Sequence, residues 1–277
     1  MTNTNTHTNQ ENLTVVELND TEERLAQALY NAYANREALK MDDWTNLLND
    51  EDASYRVQRR LMELKSQPLG GYKVSLTSKQ TQDMFDSTEP LYGAQVQEHF
   101  VKSPATLSLS SDLMDPLAEV ELVFKAKDDL SVNDSLEDLA RKTTVASGVE
   151  VPDSRFSDWF PSLSKYLVMA DAAVGGYVVY GEERDTSEFT MKDLENVHTK
   201  LYHNGKEEVD GVSSEVLGNP LNSLQWLVKK LHEQGQSFKA GQRVSSGTFL
   251  LPPRLTEGDW TAKFDNGFSD VTVNVKE

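Results

Sequence analysis

The sequence contains no cysteine. Disulfides, thiolate metal sites and cysteine nucleophiles are therefore excluded together. It also lacks any run of about 18 or more apolar residues, the length that a membrane-spanning helix needs. The opening MTNTNTHTNQENL has neither the basic region nor the apolar stretch of a secretory leader, so the cytoplasm is the expected compartment. Basic residues are in short supply. The 27 Lys and Arg stand against 45 Asp and Glu, a net charge of −18. Nucleic acid and anionic membranes select basic surfaces, so neither is the expected partner. An anionic substrate would need a local positive feature, either a metal ion or a well-placed Lys or Arg.

Several chemical signatures are missing as well. No Gly-x-Gly-x-x-Gly or phosphate-binding loop occurs, which leaves nucleotide binding without support. There is no Gly-x-Ser-x-Gly nucleophile elbow. The five histidines form no His-x-His or His-Glu-x-x-His pair, so a histidine-rich zinc site is not expected.

What is present is enough chain, 277 residues, to bury a sizeable core as one large domain or one domain with an appendage. Residues 1–18 are polar and Asn/Thr-rich and read as a disordered tail. Residues 19–68 read as a helical segment. Asn19 or Asp20 caps a first helix carrying Leu25, Leu29, Ala32 and Tyr33 at helical spacing, and a second helix is expected over 53–65. From residue 69 the texture becomes strand-like: GYKVSLTS, TLSLSSDL, LAEVELVF, GGYVVYG, GQRVSSGTFLLPP, DWTAKF and DVTVNV. Asn204-Gly205 marks a two-residue hairpin turn. NPLNSLQWLVKKLHEQG is an amphipathic helix with Leu224, Leu227, Val228 and Leu231 on one side. The expected class is α+β, a helical arm followed by a strand-rich body over 69–277.

The segment LAEVELVF poses the chemical question. Residues i and i+2 of a strand share a face, so Glu119 and Glu121 project together about 7 Å apart, with Val120, Leu122 and Phe124 on the other face. If they face a cavity, at least one carboxylate's pKa should rise unless a cation joins the pair. A hard cation such as Mg²⁺ accepts two carboxylates with waters or substrate oxygens. The alternative is an amphipathic strand with its glutamates in water. Glu150, in ASGVEVPDSRFSDW, is a third apolar-flanked glutamate that can join such a face or sit exposed or paired with arginine. Lys73, the one charge in GGYKVSLTS, can donate a proton or neutralise developing charge, or be an ordinary strand lysine.

Together these segments resemble the 2-keto-4-pentenoate hydratase and 4-oxalocrotonate decarboxylase group of the fumarylacetoacetate hydrolase superfamily. The resemblance rests on GYKVSLTS, EPLYG, AEVELVF, VEVPDSRFSDW, SSEVLGNPLNSLQWL and AGQRVSSGT in that order, and spans roughly residues 53–277. It implies a mixed β-barrel or β-roll body with a helical N-terminal segment, assembled as a homo-oligomer. It further implies that Glu119, Glu121 and Glu150 hold Mg²⁺ or Mn²⁺ and that Lys73 is the catalytic lysine. Asp171 and the turn Ser246-Gly247-Thr248 would line the pocket of a small unsaturated 2-keto acid. The chain departs from the group's pattern at Ser75, where a glycine is usual, at Leu91, where hydratases carry an acid, and at Ala172, where an asparagine is usual. The implied activity is hydration of 2-hydroxypenta-2,4-dienoate or a similar acid. The alternatives are decarboxylation of a 4-oxalocrotonate-type acid, or a binding or regulatory homologue that has lost turnover.

Overall fold

The computed structural model describes residues 17–277, so nearly all of the expected disordered tail lies outside the described residues. Two helices come first, α1 (Asp20–Asn35) and α2 (Glu51–Lys65). Asn19 caps α1 in a reciprocal capping box with Glu22, accepting from its backbone N–H at 2.9 Å. The second helix starts two residues earlier than the apolar spacing indicates, because Asp50 accepts from the Ala53 N–H at 2.9 Å and draws Glu51 and Asp52 into the first turn. Glu22 on α1 is buried and pairs with Arg56 of α2 at 2.7 Å.

The body continues as β1 (Leu69–Ser75), α3 (Lys79–Met84), β2 (Leu91–Val96), β3 (Phe100–Lys102), β4 (Ala105–Ser108), β5 (Glu119–Ala126), α4 (Leu136–Arg141) and β6 (Thr143–Val151). Then follow α5 (Lys165–Ala170), β7 (Tyr177–Tyr180), β8 (Arg184–Asp185), α6 (Met191–Glu195), β9 (His198–His203), β10 (Lys206–Val212), α7 (Pro220–Glu233), β11 (Arg243–Ser245), β12 (Gly258–Phe264) and β13 (Val271–Lys276). They build two mixed sheets. The larger runs β2-β1-β11-β5-β6-β7-β3, with β8 also paired to β6, and the smaller runs β10-β9-β12-β13-β4. Strands β12 and β13 pack across β6, and one apolar core links both sheets to the helical arm.

A buried glutamine fixes that arm to the body. Gln58 of α2 donates to the carbonyls of Tyr92 (3.0 Å) and Met169 (2.8 Å) and accepts from the Ala94 N–H (2.9 Å). Its amide thereby satisfies groups on β2 and at the end of α5 that would otherwise be buried without partners. Asn204 and Gly205 both take positive φ, as the tight turn between β9 and β10 requires. Leu224, Leu227, Val228 and Leu231 of α7 all face the core. The GQRVSSGTFLLPP strand is shorter than its pattern indicates. Only Arg243–Ser245 pair as β11, because the chain turns at Gly247.

Candidate metal centre and active-site cavity

The antiparallel register of β5 and β6 sets Glu119 directly opposite Glu150, with Glu121 two residues further along the same face. Oxygens from the three carboxylates lie within 4.8 Å of one another. Glu121 (0% exposed) and Glu150 (1%) are cut off from bulk solvent, and Glu119 is partly open to a cavity. The water-facing alternative for this strand is thereby excluded. Gly148, opposite Glu121, makes room for the Val123 side chain, since a Cβ there would meet it at 2.5 Å.

Lys73 reaches the cluster from β1, two strands away. Strand β11 lies between, with Ser245 aligned to both Lys73 and Val123. The lysine is buried and its Nζ donates to Glu150 Oε2 at 2.6 Å. Glu121 Oε2 accepts from Ser245 Oγ and, at 2.7 Å, from the Gly247 N–H. Gly247 is obligatory here. Its φ of +127° disfavours any side chain, and a Cβ would meet Thr77 Oγ1 at 2.3 Å. Ser246 anchors the same turn by donating to the Leu122 carbonyl at 2.6 Å.

The second oxygens of Glu121 and Glu150 are buried and accept no hydrogen bond. Two such oxygens are costly to leave bare, and together with Glu119 they form an all-oxygen donor set for a hard divalent cation. The residues present therefore fit a divalent metal ion.

Electrostatics agree with that fit. Burial raises the pKa of Glu119 to about 7, against the attraction of Lys73 and with repulsion from Glu121. Burial and the nearby Glu150 charge raise Glu121 to about 8, and burial lifts Glu150 well above the usual carboxylate range. For Lys73, burial opposes the charge, but Glu150 and Glu119 outweigh it and hold the pKa above the ordinary lysine value. Each raised carboxylate binds its proton more tightly in the folded than in the unfolded chain. Without a cation, stability therefore falls as pH rises from 4.5 through about 7 to 8, whereas a cation that replaces the protons stabilises more at high pH. Thermal melts of chelator-treated protein should show Tm falling over this window. Added Mg²⁺ should raise it by about 4 °C or more at the upper end and by much less at the lower.

The cavity beside the cluster is small, about 40 Å³, and is lined by Lys73, Ser75, Leu76, Thr81, Phe85, Glu119, Trp159, Phe160, Val168, Val174 and Thr248, among others. Thr81 and Thr248 also line an outer cavity of about 420 Å³. Of the residues singled out in the sequence, Glu119, Glu121, Glu150 and Lys73 come together. Thr248 joins the wall, while Ser246 and Gly247 hold the turn beneath it.

Asp171 lies apart from this cluster. It is buried, accepting from Arg155 Nε (2.9 Å), the Arg155 N–H (2.9 Å) and Ser154 Oγ (3.1 Å). Arg155 also donates to the carbonyls of Gly175 and Asp153. The pair brackets Ala172, Ala173 and Val174, three consecutive non-glycine residues with φ near +50°. Such residues cost roughly 1–2 kcal/mol each. Contacts hold them in place: Gln95 Nε2 donates to the Ala172 carbonyl and the Asp153 N–H to that of Val174. The result carries Val174 into the cavity wall. Asp171→Ala leaves the buried guanidinium uncompensated and should cost about 3–5 kcal/mol, read as a drop in Tm or in the denaturant midpoint. Leu91 is fully buried and does not line the cavity. Ser75, Leu76, Trp159 and Thr248 lie within segments singled out in the sequence, and Val168 and Val174 flank Asp171, whereas Thr81, Phe85 and Phe160 come from α3, its end and a loop and carry no periodic signal.

No protein-family model matches the chain. The fold is that of 4-oxalocrotonate decarboxylase from Pseudomonas putida G7, solved in complex with magnesium and adipate. The TM-score is 0.83 at 24% identity, over 94% of this chain and 99% of that one. This places the architecture in the fumarylacetoacetate hydrolase class. In sequence, the chain is 31% identical over 221 residues to 2-hydroxyhexa-2,4-dienoate hydratase of Comamonas testosteroni, covering 79% of this chain and 82% of the relative. It is 32% identical over 219 residues to 2-oxo-hept-4-ene-1,7-dioate hydratase of Escherichia coli, covering 76% and 80%. The chain belongs to this family of 2-keto-4-pentenoate-type hydratases.

Proposed function

We propose that the protein is a Mg²⁺- or Mn²⁺-dependent hydratase acting on 2-hydroxypenta-2,4-dienoate or a similar unsaturated 2-keto acid. The observation that carries this reading is the meeting of three carboxylates from β5 and β6, two with bare buried oxygens, beside a buried charged lysine. Membership of the hydratase family supports it. Glu119, Glu121 and Glu150 would hold the metal, which when bound supplies Lewis-acid stabilisation of negative charge on the carboxylate and C2 oxygen of the substrate. This also accounts for how a chain with a net charge of −18 binds an anion.

The chain's own residues do the rest. Ser245 and Gly247 fix one oxygen of Glu121 and so aim the other. Lys73 keeps its proton at Nζ and lies against the cluster, placed to move a proton or neutralise charge as the dienol ketonises. Ketonisation puts a proton on C5 and leaves a C3=C4 alkene conjugated with the ketone. Water then adds across it, hydroxyl to C4 and hydrogen to C3, giving 4-hydroxy-2-oxopentanoate. The apolar walls keep other water away, and Asp171 with Arg155 positions the Val174 side of the pocket.

The proposal includes a cytoplasmic homo-oligomer, with the helical segment and the 69–277 body as its parts. No helix among the described residues is long and apolar enough to cross a membrane. A second reading, decarboxylation of a 4-oxalocrotonate-type acid, draws support from the fold, which is shared with a 4-oxalocrotonate decarboxylase. Product analysis separates the two. Formation of 4-hydroxy-2-oxopentanoate from the dienol upholds the hydratase, whereas release of carbon dioxide from 4-oxalocrotonate without hydration of the dienol replaces it with the decarboxylase.

A further inference from the structure

We infer that the site selects substrates by the charge of the end remote from the keto acid. It admits a monoacid with a short uncharged tail and rejects a diacid. This rests on the hydratase reading insofar as the keto-acid end lies at the carboxylate cluster.

The charged groups lining the inner cavity are Lys73 and Glu119, and Lys73 is already paired with Glu150. Most of the remaining wall is apolar, and its larger side chains are Leu76, Phe85, Trp159, Phe160, Val168 and Val174. The three aromatic rings form a continuous cap, with centroids 6.3 Å apart for Phe85 and Phe160 and 5.5 Å for Trp159 and Phe160. Polar hydrogens in this wall are spent elsewhere. Trp159 Nε1 donates to the Asp115 carbonyl at 2.8 Å, Thr81 Oγ1 to the Ser78 carbonyl at 3.1 Å and Thr248 Oγ1 to the Leu250 carbonyl at 2.9 Å. Ser75, two residues along the strand from Lys73, adds one neutral hydroxyl. A second carboxylate here would give up its water for aromatic and aliphatic surface with no cation to meet it, which is strongly unfavourable.

A longer diacid fares no better. Thr81 and Thr248 also line the outer cavity, whose lining includes Asp210, Glu215 and His198 but no lysine or arginine. A carboxylate extended into it meets like charge. The small inner volume, about 40 Å³, likewise suits a short tail.

The test compares kcat/KM of the Mg²⁺-loaded protein for 2-hydroxypenta-2,4-dienoate and for 2-hydroxyhepta-2,4-diene-1,7-dioate. The expected ratio is about a hundredfold or more in favour of the monoacid. Equal turnover, or preference for the diacid, overturns the inference while leaving the hydratase reading intact. If neither is turned over, the hydratase reading fails and calorimetry decides the inference. Binding of 2-oxopentanoate about tenfold or more tighter than 2-oxohexanedioate upholds it, while equal, reversed or absent binding overturns it. Phe85→Arg adds a cation at the half-buried rim, where a guanidinium can reach water. It should shift the ratio towards the diacid by about tenfold. An unchanged ratio contradicts the assignment.

Discussion

Glu121→Gln should sharply weaken divalent-cation binding without unfolding the protein. Glutamine keeps the shape of glutamate, and its oxygen can still accept from Ser245 and Gly247. Its NH₂ then occupies the place of the bare Oε1, so a pair of N–H donors faces the point where a cation would need an acceptor. Calorimetric titration should show Mg²⁺ affinity reduced by about a hundredfold or more, and turnover should fall by about 10³-fold or more, since the electron sink goes with the metal. Stability should move the other way. The substitution removes a buried carboxyl whose pKa is raised to about 8, so the metal-free variant should melt no lower than the metal-free parent at neutral pH and above. A variant that binds Mg²⁺ normally, or that fails to fold, would mean that Glu121 is a structural residue.

Lys73→Met separates catalysis from metal retention. Methionine fills much of the same buried space without charge, while Glu150 is left with both oxygens unpartnered. Taking a positive charge out of the proposed cation site removes repulsion. Mg²⁺ affinity should therefore hold or tighten, while kcat at saturating Mg²⁺ falls by about 10²–10⁴-fold. A lysine that served only to neutralise Glu150 would give the opposite pattern, with near-normal kcat once the metal is bound. Steady-state kinetics and a Mg²⁺ titration on the same preparation distinguish these outcomes.

The parts of this site differ in how readily the sequence shows them, and the difference is physical. Glu119 and Glu121 were visible because alternation within one strand is a local property. Glu150 stood out as an apolar-flanked carboxylate, yet its strand went unrecognised. Ser147 and Gly148 interrupt the β-branched run of β6, and that glycine is needed because Val123 fills the space a Cβ would take. Direct opposition of Glu119 and Glu150 is a matter of register between segments far apart in sequence, which no local pattern encodes. The run at Ala172–Val174 is less legible still. Alanine and valine both disfavour positive φ, so local preference argues against what Gln95, Asp153 and Arg155 impose from outside. The helix beginning at Glu51 and the short β11 are errors of a milder kind, set by a capping aspartate and a turn glycine. Helix α7 and the Asn204-Gly205 hairpin followed their sequence signals directly because both are governed by nearest neighbours along the chain.

The most direct test follows the ultraviolet absorbance of freshly generated 2-hydroxypenta-2,4-dienoate with the purified protein, once with Mg²⁺ and once with EDTA, against a control without protein. The expected result is loss of the dienol signal that requires both protein and metal, with 4-hydroxy-2-oxopentanoate as product. Equal loss in EDTA, or loss no faster than the control in Mg²⁺, would contradict a metal-dependent hydratase built on Glu119, Glu121 and Glu150.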